Sequence, residues 1–162
     1  DEKADSPNVF ATEMFSITPQ DDIRTAQYKN MICSKNLIKK LLAAYKEGNI
    51  SVRTDYKDFD SWYNKRTAAD GKIDFHGRTR EIYNLIRGVA EPFPGAFAYV
   101  GEEKVTVWEA QPFDEMIDFS AYAPGEVIDV FDNHPIVRTV DGSLLIKKYE
   151  SEKELQAGDV LS

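Results

Sequence analysis

Cysteine is almost absent from this sequence, and that scarcity excludes several kinds of site. The chain of 162 residues has one cysteine, Cys33, and no Cys-x-x-Cys pair. An internal disulfide, or a zinc site built on several thiolates, is therefore impossible within the chain. Because the surrounding residues have a helical pattern, we expect Cys33 to be a buried or half-buried thiol rather than a nucleophile. A cytoplasmic location fits this cysteine usage best.

Long apolar runs, phosphate-binding loops and histidine clusters are lacking as well. No apolar stretch approaches the roughly 18–20 residues that a membrane-spanning helix needs, so we expect no membrane partner. Neither Gly-x-Gly-x-x-Gly nor Gly-x-x-x-x-Gly-Lys-Ser/Thr occurs, which removes the common dinucleotide and P-loop fingerprints. The two histidines, His76 and His134, have no spaced partner that would complete a metal site or a catalytic triad. We expect structural or solvent-exposed roles for both, and no metal.

Basic residues are scarce in one part of the chain only. Residues 1–108 hold 16 acidic and 16 basic side chains, whereas residues 109–162 hold 12 acidic and 4 basic ones. The net charge of −8 therefore comes entirely from the last third. A nucleic-acid-binding domain usually has the opposite balance, because basic side chains displace counterions from the phosphate backbone. The acid excess should repel nucleic acid, and otherwise it favours solubility.

The residues that are present predict a helical first half. Loose alternation over residues 9–17 predicts a short strand, and an apolar stripe predicts a helix over about 20–47, with a break near Ser34. Residues 49–75 have no period and predict a long irregular connection. Four apolar residues at i, i+3, i+4 and i+7 predict a short amphipathic helix over 78–89.

The residues from 87 to the end of the sequence predict short strands. The segment "RGVAEPFPGAF" (87–97) ends the short helix, because proline cannot continue it. The following "AFAYVGEEKVTVWEAQ" predicts a strand, a tight turn and a second strand. Two or three further strands are predicted around turns at Asp132-Asn133 and Asp141-Gly142, and "AGDVL" predicts a last one. About five short strands separated by turns suggest a small barrel of the OB type.

Two pairs of aromatic residues, Trp62 with Tyr63 and Phe93 with Phe97, have two interpretations. They could stack on a ring-bearing ligand, or they could pack at a domain junction beside the prolines.

Three segments of the chain resemble the 10-formyltetrahydrofolate-dependent formyltransferases: "YNKRTAADGKIDF" (63–75), "REIYNLIRGVAEPFPGAF" (80–97) and "KVTVWEA" (104–110). Weaker similarity, carried by "PGEV", "DGSLLI" and "AGDVL", extends the resemblance to about residues 9–162. It implies an α+β chain. Residues 1–56 would be the last strand and helix of a Rossmann-like formyltransferase domain. Residues 57–162 would be a linker, a short helix and a small C-terminal OB-like β-barrel.

The resemblance also bears on chemistry. Members of this family use an Asn-x-His and an Asp that precede the part resembled here, and no Asn-x-His occurs in this sequence. We therefore assign no catalytic residue and expect the chain to be inactive alone. The donor, 10-formyltetrahydrofolate, would be bound mainly by the missing N-terminal half. By resemblance, the substrate-binding residues are Lys65, Arg66, Thr67, Asp70 and Gly71, on a loop near the substrate cleft; a structural linker is the alternative.

Three functions remain open. The versions of the family motifs found here are closest to enzymes that formylate an amino sugar on a nucleotide carrier, such as UDP-4-amino-4-deoxy-arabinose. Methionyl-tRNA formyltransferases also resemble the chain, but the acidic last third argues against tRNA. The third possibility is a non-catalytic binding or dimerisation module, and a homo-oligomer fits either class.

Overall fold

A computed structural model of the protein describes residues 8–53 and 63–162. The chain divides into two compact units, residues 1–21 with 25–65 and residues 22–24 with 66–162. The predicted domain boundary between residues 56 and 57 lies outside the described residues, as does Trp62 of the aromatic pairs. Among the described residues, no helix combines the length and the apolarity needed to cross a membrane.

Most of the first unit's regular structure is one helix, α1 (Ile23–Lys46). The predicted helix is confirmed, but it is continuous through Ser34 and begins later than expected. A turn precedes it, in which the Asp21 carboxylate accepts hydrogen bonds from the Thr18 N–H at 2.7 Å and from the Thr18 hydroxyl at 2.9 Å. The ammonium of Lys29 also binds Asp21, and this is the main reason why the pKa of Asp21 lies far below its usual range. Cys33 on α1 is half-buried, as expected.

The strand predicted over residues 9–17 is wrong. Only Val9 is paired, through two backbone hydrogen bonds of 3.0 and 2.8 Å with Arg53. Alternation alone does not make a strand, because a neighbouring strand must supply hydrogen bonds to its backbone. Within the described part of the chain, nothing pairs with residues 10–17 in this way.

The second unit is built on a five-stranded antiparallel sheet. Its order is β1-β2-β5-β4-β3, so each neighbouring pair except β2 and β5 is a hairpin. Positive φ angles of 50° and 63° at Asp132 and Asn133 confirm the turn predicted there, since a tight hairpin turn needs such angles. The α+β class is therefore confirmed, while the OB-like barrel and the Rossmann-like tail stay predictions. The strands are β1 (Ala96–Val100), β2 (Glu103–Asp114), β3 (Val127–Phe131), β4 (His134–Arg138) and β5 (Ser143–Glu150).

The C-terminal "AGDVL" is not a strand, which corrects the prediction. Its residues bond alternately to two different neighbours, so no continuous ladder forms. Ser162 exchanges two hydrogen bonds of 2.9 Å with Tyr99 on β1, and the Leu161 N–H donates to the Gly125 carbonyl at 2.8 Å. The segment thus bonds both to an edge strand and to the residues just before β3, the other edge strand.

The predicted short helix is confirmed as α2 (Thr79–Val89). Its apolar stripe faces the sheet, with Ile82 and Ile86 buried and Leu85 and Val89 packed at the margin of the core. This burial is the main stabilising contribution of the helix, at about 25 cal/mol for each Å² removed from water. The core consists of Ile73, Phe75, Ile82, Ile86, Ala96, Ala98, Val105, Val107, Ala110, Val127, Val137, Leu144, Ile146, Leu155 and Leu161.

Asp141, in the β4–β5 turn, caps the first residue of α2. Its Oδ1 accepts hydrogen bonds of 2.8 Å from both the backbone N–H and the hydroxyl of Thr79. The Thr79 hydroxyl also lies 2.6 Å from that of Thr139, and both threonines are buried. These bonds hold the pKa of Asp141 below its usual value, the backbone bond being the largest cause.

We expect Asp141→Ala to lower the free energy of unfolding by about 1 kcal/mol at neutral pH, because the N-terminus of α2 loses its cap. The folded-state pKa is lowered, so this contribution is present above the usual value of 3.8 and disappears as pH falls through the folded-state value. Urea unfolding at neutral pH and below pH 3.8 measures it. The control is Glu154→Ala, whose carboxylate accepts no hydrogen bond within the described residues. A difference that persists undiminished in acid would contradict the assignment.

Gly125 offers a second test, of the C-terminal segment. A Cβ there would lie 2.2 Å from the Leu161 carbonyl oxygen, and its φ is +88°. Gly101 is the matched control, because its φ is +62° but nothing lies within 4 Å of its added Cβ. We expect Gly101→Ala to cost about 1–2 kcal/mol for the left-handed backbone, and Gly125→Ala to cost about 1–3 kcal/mol more for the clash. Equal losses of stability in Gly125→Ala and Gly101→Ala, measured from their denaturant midpoints, would show that the C-terminal segment moves to accommodate the added methyl group.

Candidate substrate-binding cavity

The predicted site residues form a tight turn at the start of the second unit. A 3-10 helix (Ala68–Gly71) follows Thr67. The Asp70 Oδ2 accepts a hydrogen bond of 2.6 Å from the Thr67 N–H and one of 3.0 Å from the Thr67 hydroxyl. These two bonds lower the pKa of Asp70, the backbone one most, and the nearby Arg66 charge adds a smaller effect. Asp70 is therefore a fixed, ionised carboxylate at neutral pH.

This turn lies against the proline segment, residues 90–95. A Cβ on Gly71 would come within 2.7 Å of the Gly95 carbonyl oxygen, so the two backbones touch. The proline segment is held to the last residue of α2 by a hydrogen bond of 2.9 Å from the Gly95 N–H to the Val89 carbonyl, and a bond of 3.0 Å from the Phe93 N–H to the Ala90 carbonyl closes a turn within the segment. The turn and the segment are thus fixed relative to each other.

Trp108 supports the proline segment from the sheet. The pairing of β2 with β5 shifts between Val107 and Glu109, which places Trp108 at a bulge. Bulges redirect side chains, and this one lays the indole beside Gly95, where an added Cβ would meet its ring at 2.9 Å. Gly95 also has a φ of +83°, so any other residue would be strained as well as crowded.

A cavity of about 320 Å³ opens between the turn and the proline segment. Its lining includes the polar residues Arg66, Thr67 and Asp70 and the apolar residues Val89, Phe93 and Pro94. Ligand sites are typically concave and largely apolar with a few placed polar groups, in volumes of roughly 300–1,000 Å³. The cavity meets this description at its lower limit.

Four of the five predicted binding residues, Arg66, Thr67, Asp70 and Gly71, line this cavity. Lys65 is exposed and is not part of the lining. Val89 and Gly95 also line the cavity, although the sequence analysis did not predict them as binding residues. The signal that could have found them is the proline segment, because its glycine and prolines mark a close backbone approach. Their role in binding substrate stays a prediction.

The other chemistry-bearing residues are dispersed. His76 Nδ1 lies 3.3 Å from Asp74 Oδ1, and both side chains are about 80% exposed (79% and 80%). His134 is the first residue of β4. Within residues 8–53 and 63–162, no group of three histidine, cysteine or acidic residues is placed to hold a metal ion.

The outer face of β1 and β2 carries aromatic rings beside lysines. Phe97 and Tyr99 meet edge to face at 5.8 Å between ring centroids. The Lys104 ammonium lies 4.5 Å from the Phe97 centroid, and that of Lys72 lies 5.9 Å from the Tyr99 centroid. Phe97 therefore packs against a lysine and a neighbouring ring, and it does not itself line the cavity.

Comparison with known proteins defines the class. A sequence profile of the family described as "Formyl transferase, C-terminal domain" matches residues 65–162, more than half of the chain. The chain therefore belongs to the formyl transferase family, and the part of that family it carries is the C-terminal domain. The resemblance read from the sequence is confirmed.

Solved structures of HypX from Aquifex aeolicus share the fold. HypX in complex with tetrahydrofolic acid matches with a TM-score of 0.67 and 20% identity, covering 94% of this chain and 26% of that one. A substituted HypX matches with a TM-score of 0.69 and 21% identity, covering 94% and 27%. The chain thus spans about a quarter of the length of these structures.

The hydrogen bonds of the turn can be tested directly. Thr67→Val removes the hydroxyl and keeps the backbone N–H, so we expect the pKa of Asp70 to rise part of the way toward 3.8. Carbon NMR titration of the carboxyl groups measures this shift. Asp118, whose pKa is lowered by Ser120, is the internal control and should not move. An unchanged Asp70 titration would mean that the hydroxyl is not bonded to it.

Proposed function

We propose that this chain is the C-terminal part of a formyltransferase that moves a formyl group from 10-formyltetrahydrofolate to an amine. The family match over residues 65–162 carries the proposal. In it, α1 and the residues before it are the tail of a Rossmann-like catalytic domain, and the sheet is an OB-like barrel. The relative HypX binds tetrahydrofolic acid, which supports a folate donor for the whole enzyme.

The cavity formed by the turn and the proline segment does not fit a folate. A pterin ring presents several donors and acceptors in one plane and needs matching buried partners. The cavity has an apolar wall, and its Thr67 hydroxyl and one Asp70 oxygen are already bonded to each other. The buried Thr79 and Thr139 hydroxyls are likewise bonded to each other. In this proposal the catalytic domain binds the folate, and the residues of this chain take no part in the folate chemistry.

The proposed acceptor is an amino sugar on a nucleotide carrier. Such a substrate needs a site for one compact anion beside an apolar surface for a ring. The cavity offers both, because Arg66 and Phe93 are both in its lining. The 12 acidic and 4 basic residues of 109–162 disfavour a long polyanion.

Methionyl-tRNA is the second candidate acceptor, and one feature favours it. Aromatic rings beside lysines, as on the face formed by Phe97, Tyr99, Lys72 and Lys104, are typical of surfaces that bind single-stranded nucleic acid. Two lysines are few against the surrounding acid excess, so we place this candidate second.

Salt dependence separates the two acceptors. Titration of the chain with UDP and with methionyl-tRNA should give UDP binding that changes little between low and physiological salt, and no tRNA binding at physiological salt. A surface that makes several phosphate contacts would instead lose affinity by about 10³-fold or more over this range. Steeply salt-dependent tRNA binding without UDP binding would overturn the sugar-nucleotide proposal.

Turnover separates an enzyme part from a binding module. We expect no formyl transfer by this chain alone, and transfer to a nucleotide amino sugar when a formyltransferase catalytic domain is joined to its N-terminus. A variant of that joined protein without the catalytic Asn-x-His is the control. A joined, folded protein that binds nucleotide sugar without turnover would favour the binding module.

A further inference from the structure

Arg66 is distinguished from other arginines of the second unit by what surrounds it. Its side chain is exposed, lines the cavity, and makes no hydrogen bond or ion pair within the described residues. Arg138, by contrast, donates to the Gly142 carbonyl at 2.7 Å, and Arg80 lies over the Tyr83 ring. A guanidinium with its donors available beside a cavity suits an anion that accepts two parallel hydrogen bonds, as phosphate does.

The apolar side of the cavity suits a flat ring. Phe93 is 45% exposed and lies between two prolines, in a segment held by the backbone bonds of Gly95 and Phe93 itself. An aromatic ring on such a fixed segment loses little conformational freedom when a ligand packs on it. Stacking of a base on an aromatic side chain contributes about 1–3 kcal/mol.

Asp70 supplies an acceptor at a fixed position in the same lining. Both hydrogen bonds from Thr67 go to Oδ2, so Oδ1 has no partner within the described residues. A carboxylate oxygen accepts hydrogen bonds only, which suits a ligand N–H or hydroxyl and opposes a second phosphate. The cavity therefore combines one cation, one acceptor and one ring surface.

We propose that this cavity binds the nucleoside diphosphate part of the acceptor, an inference that rests on the function proposed above. Arg66 pairs with the diphosphate, Phe93 covers the pyrimidine ring, and Asp70 Oδ1 accepts from a ring N–H or a ribose hydroxyl. At about 320 Å³ the cavity takes part of a nucleotide sugar, so the amino sugar extends beyond it.

Calorimetric titration of the full 162-residue chain with UDP, uridine and inorganic pyrophosphate tests each contact. UDP should bind more tightly than either fragment. Arg66→Ala should weaken UDP at least about tenfold, as expected for a charge-assisted hydrogen bond, and should leave uridine unchanged. Phe93→Leu should weaken UDP and uridine and leave pyrophosphate unchanged.

Arg80→Ala is the matched control, because Arg80 is an exposed arginine of the same unit outside the cavity lining. It should leave UDP binding unchanged, which separates a specific Arg66 contact from a loss of general positive charge. Thermal unfolding of each variant shows whether the fold is retained. A second measurement uses Trp62→Phe protein, in which UDP should change the emission of Trp108, the indole beside Gly95.

The outcomes separate this inference from the proposed function. UDP binding that Arg66→Ala and Arg80→Ala weaken equally overturns the Arg66 contact and leaves the sugar-nucleotide acceptor in place. Absence of UDP binding to this chain, with turnover of a nucleotide amino sugar by the joined protein, overturns the cavity assignment alone. Absence of both overturns the proposed function too.

Discussion

The contact between Gly71 and the carbonyl oxygen of Gly95 is the constraint on which the cavity depends. A Cβ at Gly71 would lie 2.7 Å from that oxygen, and one at Gly95 would lie 2.7 Å from Thr106 and 2.9 Å from Trp108. The 3-10 helix and the proline segment therefore meet backbone to backbone, and the proline segment packs in turn on the Thr106 and Trp108 side chains of β2. This spacing brings the polar turn and Phe93 into the lining of one cavity.

The core stabilises these segments, and hydrogen bonds set their register. Ile73 and Phe75 fill the core directly after Gly71, and the Ile73 N–H donates to the Phe97 carbonyl at 2.7 Å. Each such bond contributes only about 1 kcal/mol net, whereas burying a large apolar side chain contributes about 1.5–3 kcal/mol. Gly71, Ile73 and Phe75 alternate toward the interior, and the burial of the two large side chains contributes most of the stabilising free energy. The glycines and the backbone bonds select the geometry.

Local patterns in the sequence predicted local structure well. α2 and the hairpins followed from apolar periodicity and turn residues, because their partners lie close along the chain. The strand at residues 9–17 and the last strand failed because pairing depends on distant segments that periodicity does not identify. The cap on Thr79 by Asp141 was invisible for the same reason. For α1, the side-chain bonds of Asp21 moved the start of the helix.

The candidate site likewise combines residues that the sequence indicated with distant contacts that it did not predict. Resemblance to a family identified Arg66, Thr67, Asp70 and Gly71, since no physical pattern in the sequence marks them. Phe93 was noticed as an aromatic residue with two interpretations. Only the structure brings these residues together, because the approach of Gly71 to Gly95 joins segments that no local signal connects.

Electrostatics supports the proposed preference for a compact nucleotide sugar over tRNA. Arg66 and the ionised Asp70 are the charged side chains of the cavity lining and cancel in net charge, so attraction arises only at contact distance. At physiological salt, exposed charges are screened beyond about 8 Å. The acid excess of residues 109–162 adds no attraction for an anion within that distance. A compact diphosphate that reaches Arg66 gains a paired, directional contact. A polymer with charges spread along its length would also meet the acid excess of residues 109–162, while Lys72 and Lys104 are already packed against rings.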